Sequence, residues 1–192
     1  MEDQIDWLNN DVAENRLAIE NNDSQLTRRN FLRSLIAFYE VNLSKLRETA
    51  ILLAIDEFQI SGKWDLHEIY PLMDESARIS GNGNLSLDPN RTSLISMLAY
   101  TIKKYAQLID LDEELLSDHR WESFCKSITI RHRITHPKFH EDIEITDDEL
   151  KAIYEGLEWW NKTMKTLYEA HYQKMIKPVS KDDIKNIIQR DE

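Results

Sequence analysis

The strongest hydrophobic pattern in the chain begins at Ser24. Phe31, Leu35, Phe38, Tyr39, Leu43, Leu46, Ala50, Leu53 and Ile55 recur at the three-and-four spacing of one helix face as far as Ile60, and Gly62 supplies a stop. This predicts a long central helix. Before it, Ile5, Leu8, Val12 and Ile19 give a thinner stripe in a polar, Asn-rich stretch, which reads as an accessory helix over residues 1–23. After it, Trp64 to Arg78 is interrupted by Pro71, and the GNGN and DPN runs between Ser80 and Asn90 read as loop punctuation. Asp88 followed by Pro89 has the form of a helix start, leading into Leu94, Leu98, Ile102, Tyr105 and Ile109. Ser117 is placed to cap the next helix, whose apolar positions Trp121, Phe124 and Ile128 run straight into IRHRITHPK. Thr146-Asp-Asp-Glu149 is a capping-box sequence opening a helix through Leu150, Ile153, Leu157, Trp160, Met164 and Leu167, towards Tyr172. Ser180 to Arg190 carries the pattern of a short tail helix.

These elements predict an all-α antiparallel bundle. The organisation expected is an accessory segment (1–23), one helical bundle (24–176) and a tail helix (177–192), with no internal repeat and no Gly/Ser-rich or Pro-rich linker. Composition agrees: the 192 residues include only four Gly and four Pro, too few for a turn-dense β-sandwich. No apolar run approaches the roughly 20 residues that span a bilayer, and the acidic start MEDQID lacks the basic flank of a signal peptide. A cytoplasmic protein without a membrane partner is the expectation. A single cysteine, Cys125, sits among Trp121, Phe124 and Ile128 as an inert, buried thiol and leaves no set for a multi-cysteine zinc site.

A net charge of −11 argues against a protein that coats nucleic acid, because non-specific affinity comes from Lys and Arg neutralising phosphates. Positive charge is nonetheless concentrated locally in Arg120, Lys126, Arg131, Arg133 and Lys138, as either a basic site or a solvated helix face.

The segment Ile130-Arg131-His132-Arg133-Ile134-Thr135-His136-Pro137 closes a helix and gathers groups suited to phosphate chemistry. An Arg with a His four to six residues on is expected about once by chance in such a chain, so the weight comes from the polar residue after Arg131 and the place at a helix end. On a continuous helix residues five apart point about 140° away from each other. Pro137 disfavours the helical conformation at the residue before it, so the chain should leave the helix near Thr135 or His136 and free the imidazole to turn back. The alternative register, Arg133 to His140, is disfavoured by Ile134 after the Arg.

Arg131, His132, a three-residue spacer and His136 resemble the signature of the HEPN superfamily, and the order of helices over roughly residues 24–176 resembles the family's as well. The resemblance implies metal-independent endonucleolytic cleavage of RNA, with no cofactor. Arg131 would stabilise charge on the scissile phosphate, and His136 would move a proton to or from a ribose oxygen. His132 would orient the phosphate or His136, or else faces solvent; Arg133 and Lys138 would add substrate contacts. Glu40 falls where several members carry a polar residue facing the site; the alternative is a surface Glu pairing with a nearby cation. One imidazole is poorly suited to act as base and acid together, so the resemblance implies a homodimer with two facing motifs. It further implies a toxin or phage-defence effector, with an antitoxin or other protein partner.

Two rival readings follow from the residues. His132, His136 and His140 are spaced for zinc only on an unbroken helix, which Pro137 prevents, so no metal site is assigned. A non-catalytic helical module binding a partner protein or a nucleotide is the main alternative, with Trp159, Trp160, Tyr168 and Tyr172 either core residues or a partner surface.

Overall fold

The computed structural model describes residues 2–61, 66–73, 75–89, 92–112 and 114–176. Gly62 and the tail helix expected over Ser180 to Arg190 lie outside the described residues. The order is α1 (Glu2–Asn21), α2 (Gln25–Ser61), α3 (Leu66–Ile69), a 3-10 turn (Tyr70–Leu72), β1 (Glu75–Ile79), β2 (Leu85–Pro89), α4 (Leu94–Leu108), α5 (His119–Thr135), a second 3-10 turn (His140–Ile143) and α6 (Asp147–Ile176). Helices dominate, as the apolar periodicity predicts.

Local chemistry explains most boundaries. Ser24 and Thr27 exchange side-chain and main-chain hydrogen bonds across the start of α2, and Thr146 and Glu149 form the reciprocal capping pair that opens α6. Three expectations need correction. Leu85–Pro89, within the stretch expected as loop punctuation, is instead the second strand of an antiparallel hairpin with Glu75–Ile79, in which Ile79 lies opposite Leu85 and Ala77 opposite Leu87. Gly83 turns it at φ +80°, a value that favours glycine. Asp88 and Pro89 therefore end a strand, and α4 is opened by Ser93, whose hydroxyl accepts from the Ser96 N–H at 3.2 Å. The N-cap of α5 is Asp118, one residue beyond Ser117, accepting from the Arg120 N–H at 3.0 Å; a carboxylate also binds the Arg120 side chain there, which a serine would do less well.

The core is built on α2, which packs against α1, α4 and α5, while α5 and α6 form the most extensive helix pair. Phe31, Leu35 and Leu46 of α2 are buried in one core cluster with Leu98, Ile102 and Tyr105 of α4 and Ile153 and Leu167 of α6. An aromatic cluster joins the layers, with Tyr39 and Trp160 centroids 4.6 Å apart and Phe124 4.9 Å from both Tyr39 and Trp159. Trp159 and Trp160 are thus core residues, and the Trp159 indole N–H is satisfied by the Leu115 carbonyl at 3.0 Å. Tyr168 and Tyr172 are exposed on α6. The accessory helix α1 buries Val12 and Ile19, and its Arg16 lies over the Tyr154 ring of α6 at 5.7 Å. Gly156 lets α6 approach α5 closely, since a Cβ there would stand 2.8 Å from the Phe124 Cα.

Candidate active site

Helix α5 ends at Thr135, where the residue before Pro137 leaves helical space: His136 has φ −125° and ψ 58°. The His136 N–H still donates to the His132 carbonyl at 3.1 Å, so the exit is fixed to the last helical turn. The imidazole of His136 is exposed, and its ring centre lies 5.5 Å from that of His132 in an edge-to-face arrangement. The motif turns where the sequence predicts.

Arg131 and Arg133 are two residues apart and so point about 200° away from each other around the helix, which gives them different roles. Arg133 is committed to the fold. Its guanidinium donates to both carboxylate oxygens of Glu149 at 2.8 Å and to the Asp142 carbonyl at 3.1 Å, tying α5 to the start of α6. Arg131 is lightly held: its nearest anionic partner among the described residues is Glu40 of α2, at 3.9 Å, with the two side chains 33% and 50% exposed. Such a pair contributes about 0–1 kcal/mol, so most of the guanidinium's donors stay available to another anion.

Arg131, His132 and Glu40 line one cleft of about 340 Å³ between α2, α5 and the first turn of α4. Its walls are apolar at Ile36, Leu94 and Ile128, and hydroxyls from Ser93 and Thr129 border it. Because Ser93 caps the 15-residue α4, the cleft also receives the partly positive end of that helix. Ser93 and Thr129 were not legible as site residues; a cap serine carries no sequence signal for the surface it faces.

The remaining motif residues lie apart from this cleft. His136 adjoins it through His132, and Lys138 lies in the exposed turn after Pro137, where the backbone N–H groups of Lys138 and Phe139 donate to Asp142 at 2.7 and 2.9 Å. Those two bonds hold the Asp142 carboxyl below the usual carboxylate range. The acidic connection after the motif is anchored from α2 as well: Gln25 exchanges hydrogen bonds with Ile145, Arg28 donates to the Ile145 carbonyl at 2.8 Å, and Arg29 donates to the Ile143 carbonyl at 3.2 Å. Of the wider basic cluster, Arg120 is bound by Asp118, whose carboxyl it pulls well below its ordinary value.

Among the described residues no three His, Cys, Asp or Glu side chains converge to hold a metal ion. No described helix is long and apolar enough to cross a membrane. Burial pushes the Cys125 thiol up, away from the reactive thiolate form.

Compared with protein families, curated proteins and solved structures, the chain matches none significantly.

Proposed function

We propose that this chain is a metal-independent endoribonuclease of the HEPN type, acting as a homodimer. The observation that carries the reading is the cleft itself, where a lightly paired Arg131, the His132 imidazole and the N-terminal turn of α4 meet beside an exposed His136. A phosphate diester placed there meets a permanent cation and the positive end of a helix dipole.

Cleavage proceeds by internal transesterification. His136 takes the proton of the ribose 2′-hydroxyl, the 2′-oxygen attacks phosphorus, and the bond to the 5′-oxygen breaks. Arg131 stabilises the added charge on the pentavalent phosphate, and a second imidazole protonates the leaving 5′-oxygen. In the dimer that imidazole is His136 of a second copy, with His132 orienting the phosphate or its neighbour. Glu40 holds Arg131 in position until substrate displaces it. The role in a cell that fits such a nuclease is a toxin or phage-defence effector, on resemblance to the family, with an antitoxin or other protein as its partner.

Purified wild type and His136→Ala, matched in oligomeric state by light scattering, are incubated with total RNA and tRNA in EDTA. Cleavage by wild type alone supports the proposal. If both are inert on every RNA, the apolar walls at Ile36, Leu94 and Ile128 favour the second reading, a helical module that binds a partner protein or a nucleotide in the same cleft.

A further inference from the structure

A phosphate beside the motif accounts for Arg131 and the first turn of α4, and leaves the apolar side of their cleft without an occupant. Ile36 is buried there, and Leu94, Ile95 and Ile128 are half-buried along the walls. The volume of about 340 Å³ stands at the small end of small-molecule sites, which run from roughly 300 to 1,000 Å³, and gives room for one nucleotide.

Charge points the same way. The chain carries a net −11, and near the motif Arg133 is bound to Glu149 and Arg120 to Asp118, so neither is free to neutralise phosphate. A grip on the backbone alone, which grows with each phosphate that Lys or Arg neutralises, is weak on such a surface. An RNA held here needs uncharged contacts as well. The flat faces of a base against aliphatic walls supply them, and a base reaches such walls only when it is unpaired and unstacked.

The hydroxyls bordering the cleft decide which base edge fits. Thr129 Oγ1 donates to the Cys125 carbonyl at 3.1 Å, and Ser93 Oγ donates to Ser96 Oγ at 2.8 Å while accepting from the Ser96 N–H. A hydroxyl has one hydrogen to give, so both oxygens meet a ligand as acceptors. The Glu40 carboxylate is a third acceptor on the same cleft.

We propose that the cleft takes the base of one unstacked nucleotide and selects adenine or cytosine, whose edges carry an amine where inosine or uracil carries a carbonyl. Ser93 and Thr129 are the residues that read this amine. Which nucleotide it is rests on the ribonuclease reading above: because His136 takes the 2′-hydroxyl proton, the base belongs to the nucleotide on the 5′ side of the cut.

Four nucleoside 3′-monophosphates, which hold no bond to cut, are titrated into the full chain and followed by two-dimensional NMR: cytidine against uridine, and adenosine against inosine. The amine-bearing member of each pair is expected to bind about ten-fold more tightly, the effect of one unmatched hydrogen-bonding group, with shifts at the Leu94, Ile95 and Ile128 amides. Thr129→Val combined with Ser93→Gly removes both acceptors and keeps a residue tolerated at a helix N-cap; it should abolish the difference within each pair. Equal affinity within the pairs in wild type, tighter binding of the carbonyl-bearing members, or no binding by any of the four overturns the proposal. Sequencing the ends cut from an unstructured RNA separates this from the ribonuclease reading. Cuts after adenine and cytosine support both. Cuts after all four bases alike overturn the base site and leave the nuclease standing, whereas amine-selective binding by a chain that cuts no RNA keeps the base site and removes the nuclease.

Discussion

Replacing Gly156 by alanine tests the contact that sets α5, and with it the motif, against α6. An added Cβ would stand 2.8 Å from the Phe124 Cα and 3.0 Å from both the Phe124 N and the Ser127 Oγ. Two of these three atoms are backbone, so no rotamer change removes the clash; ordinary contact begins near 3.4 Å, and α5 must retreat by about 0.6 Å. Phe124 cannot follow freely, because it packs on Tyr39, Trp121, Trp159 and Trp160. Overpacking of this kind costs about 1–3 kcal/mol, and the crowded aromatic cluster puts it in the upper half of that range. Alanine gains about 1 kcal/mol of helix propensity over glycine. The net expectation is a loss of about 1–2 kcal/mol, or roughly 2–8 °C in Tm for a chain of this size. Urea unfolding followed by circular dichroism measures it. A midpoint equal to or above that of wild type would mean that propensity wins and that the helices do not meet this closely at Phe124.

Three further outcomes follow from the packing. The Tyr39 hydroxyl is buried without a hydrogen-bond partner among the described residues, so Tyr39→Phe should raise stability by about 1 kcal/mol in the same urea assay; a loss would reveal a partner for that oxygen. Arg133→Ala should lose about 1–2 kcal/mol by unpairing Glu149, whereas Arg131→Ala should leave the urea midpoint within about 0.5 kcal/mol of wild type; equal effects would contradict the division of roles between the two arginines. His171, partly buried beside Lys174 and hydrogen-bonded to Tyr105, has its pKa pushed below the ordinary value, first by burial and then by the lysine charge. The unfolded chain therefore takes up the proton first, and stability should fall as pH drops below about 6.5 through the lower folded-state pKa. The lowered carboxylates Asp118 and Asp142 stay ionised between pH 5 and the ordinary histidine range near 6.5, so His171→Gln should flatten the slope there. An unchanged slope would locate the effect elsewhere.

The helices were legible because each buries one face: the stripes at Phe31 to Ala50, Leu98 to Tyr105 and Ile153 to Leu167 are the residues found in the core. The hairpin was not, because periodicity reports burial, and Ile79, Leu85 and Leu87 share a hairpin face that is exposed. Asp88-Pro89 imitates a helix start in the chain, but its pairing with Ser76 and Glu75 across the hairpin is a non-local fact. At the site, the exit at His136 follows from Pro137 alone, a local steric effect. The division between Arg131 and Arg133 depends on Glu40 lying 91 positions before one and Glu149 16 positions after the other, and nothing local distinguishes the two arginines. Glu149 reads in sequence as half of a capping box; in the fold it also binds Arg133.

In the proposed reaction the His136 imidazole removes a 2′-hydroxyl proton while Arg131 holds the phosphate. The direct measurement is cleavage in EDTA of a wild-type RNA substrate and of its fully 2′-deoxy counterpart, with the product ends identified by mass spectrometry. The expected result is cuts in the RNA alone, a 2′,3′-cyclic phosphate on one fragment and a 5′-hydroxyl on the other, and loss of both with His136→Ala or Arg131→Ala. Cleavage of the deoxy strand, or fragments ending in 5′-phosphate, would contradict it.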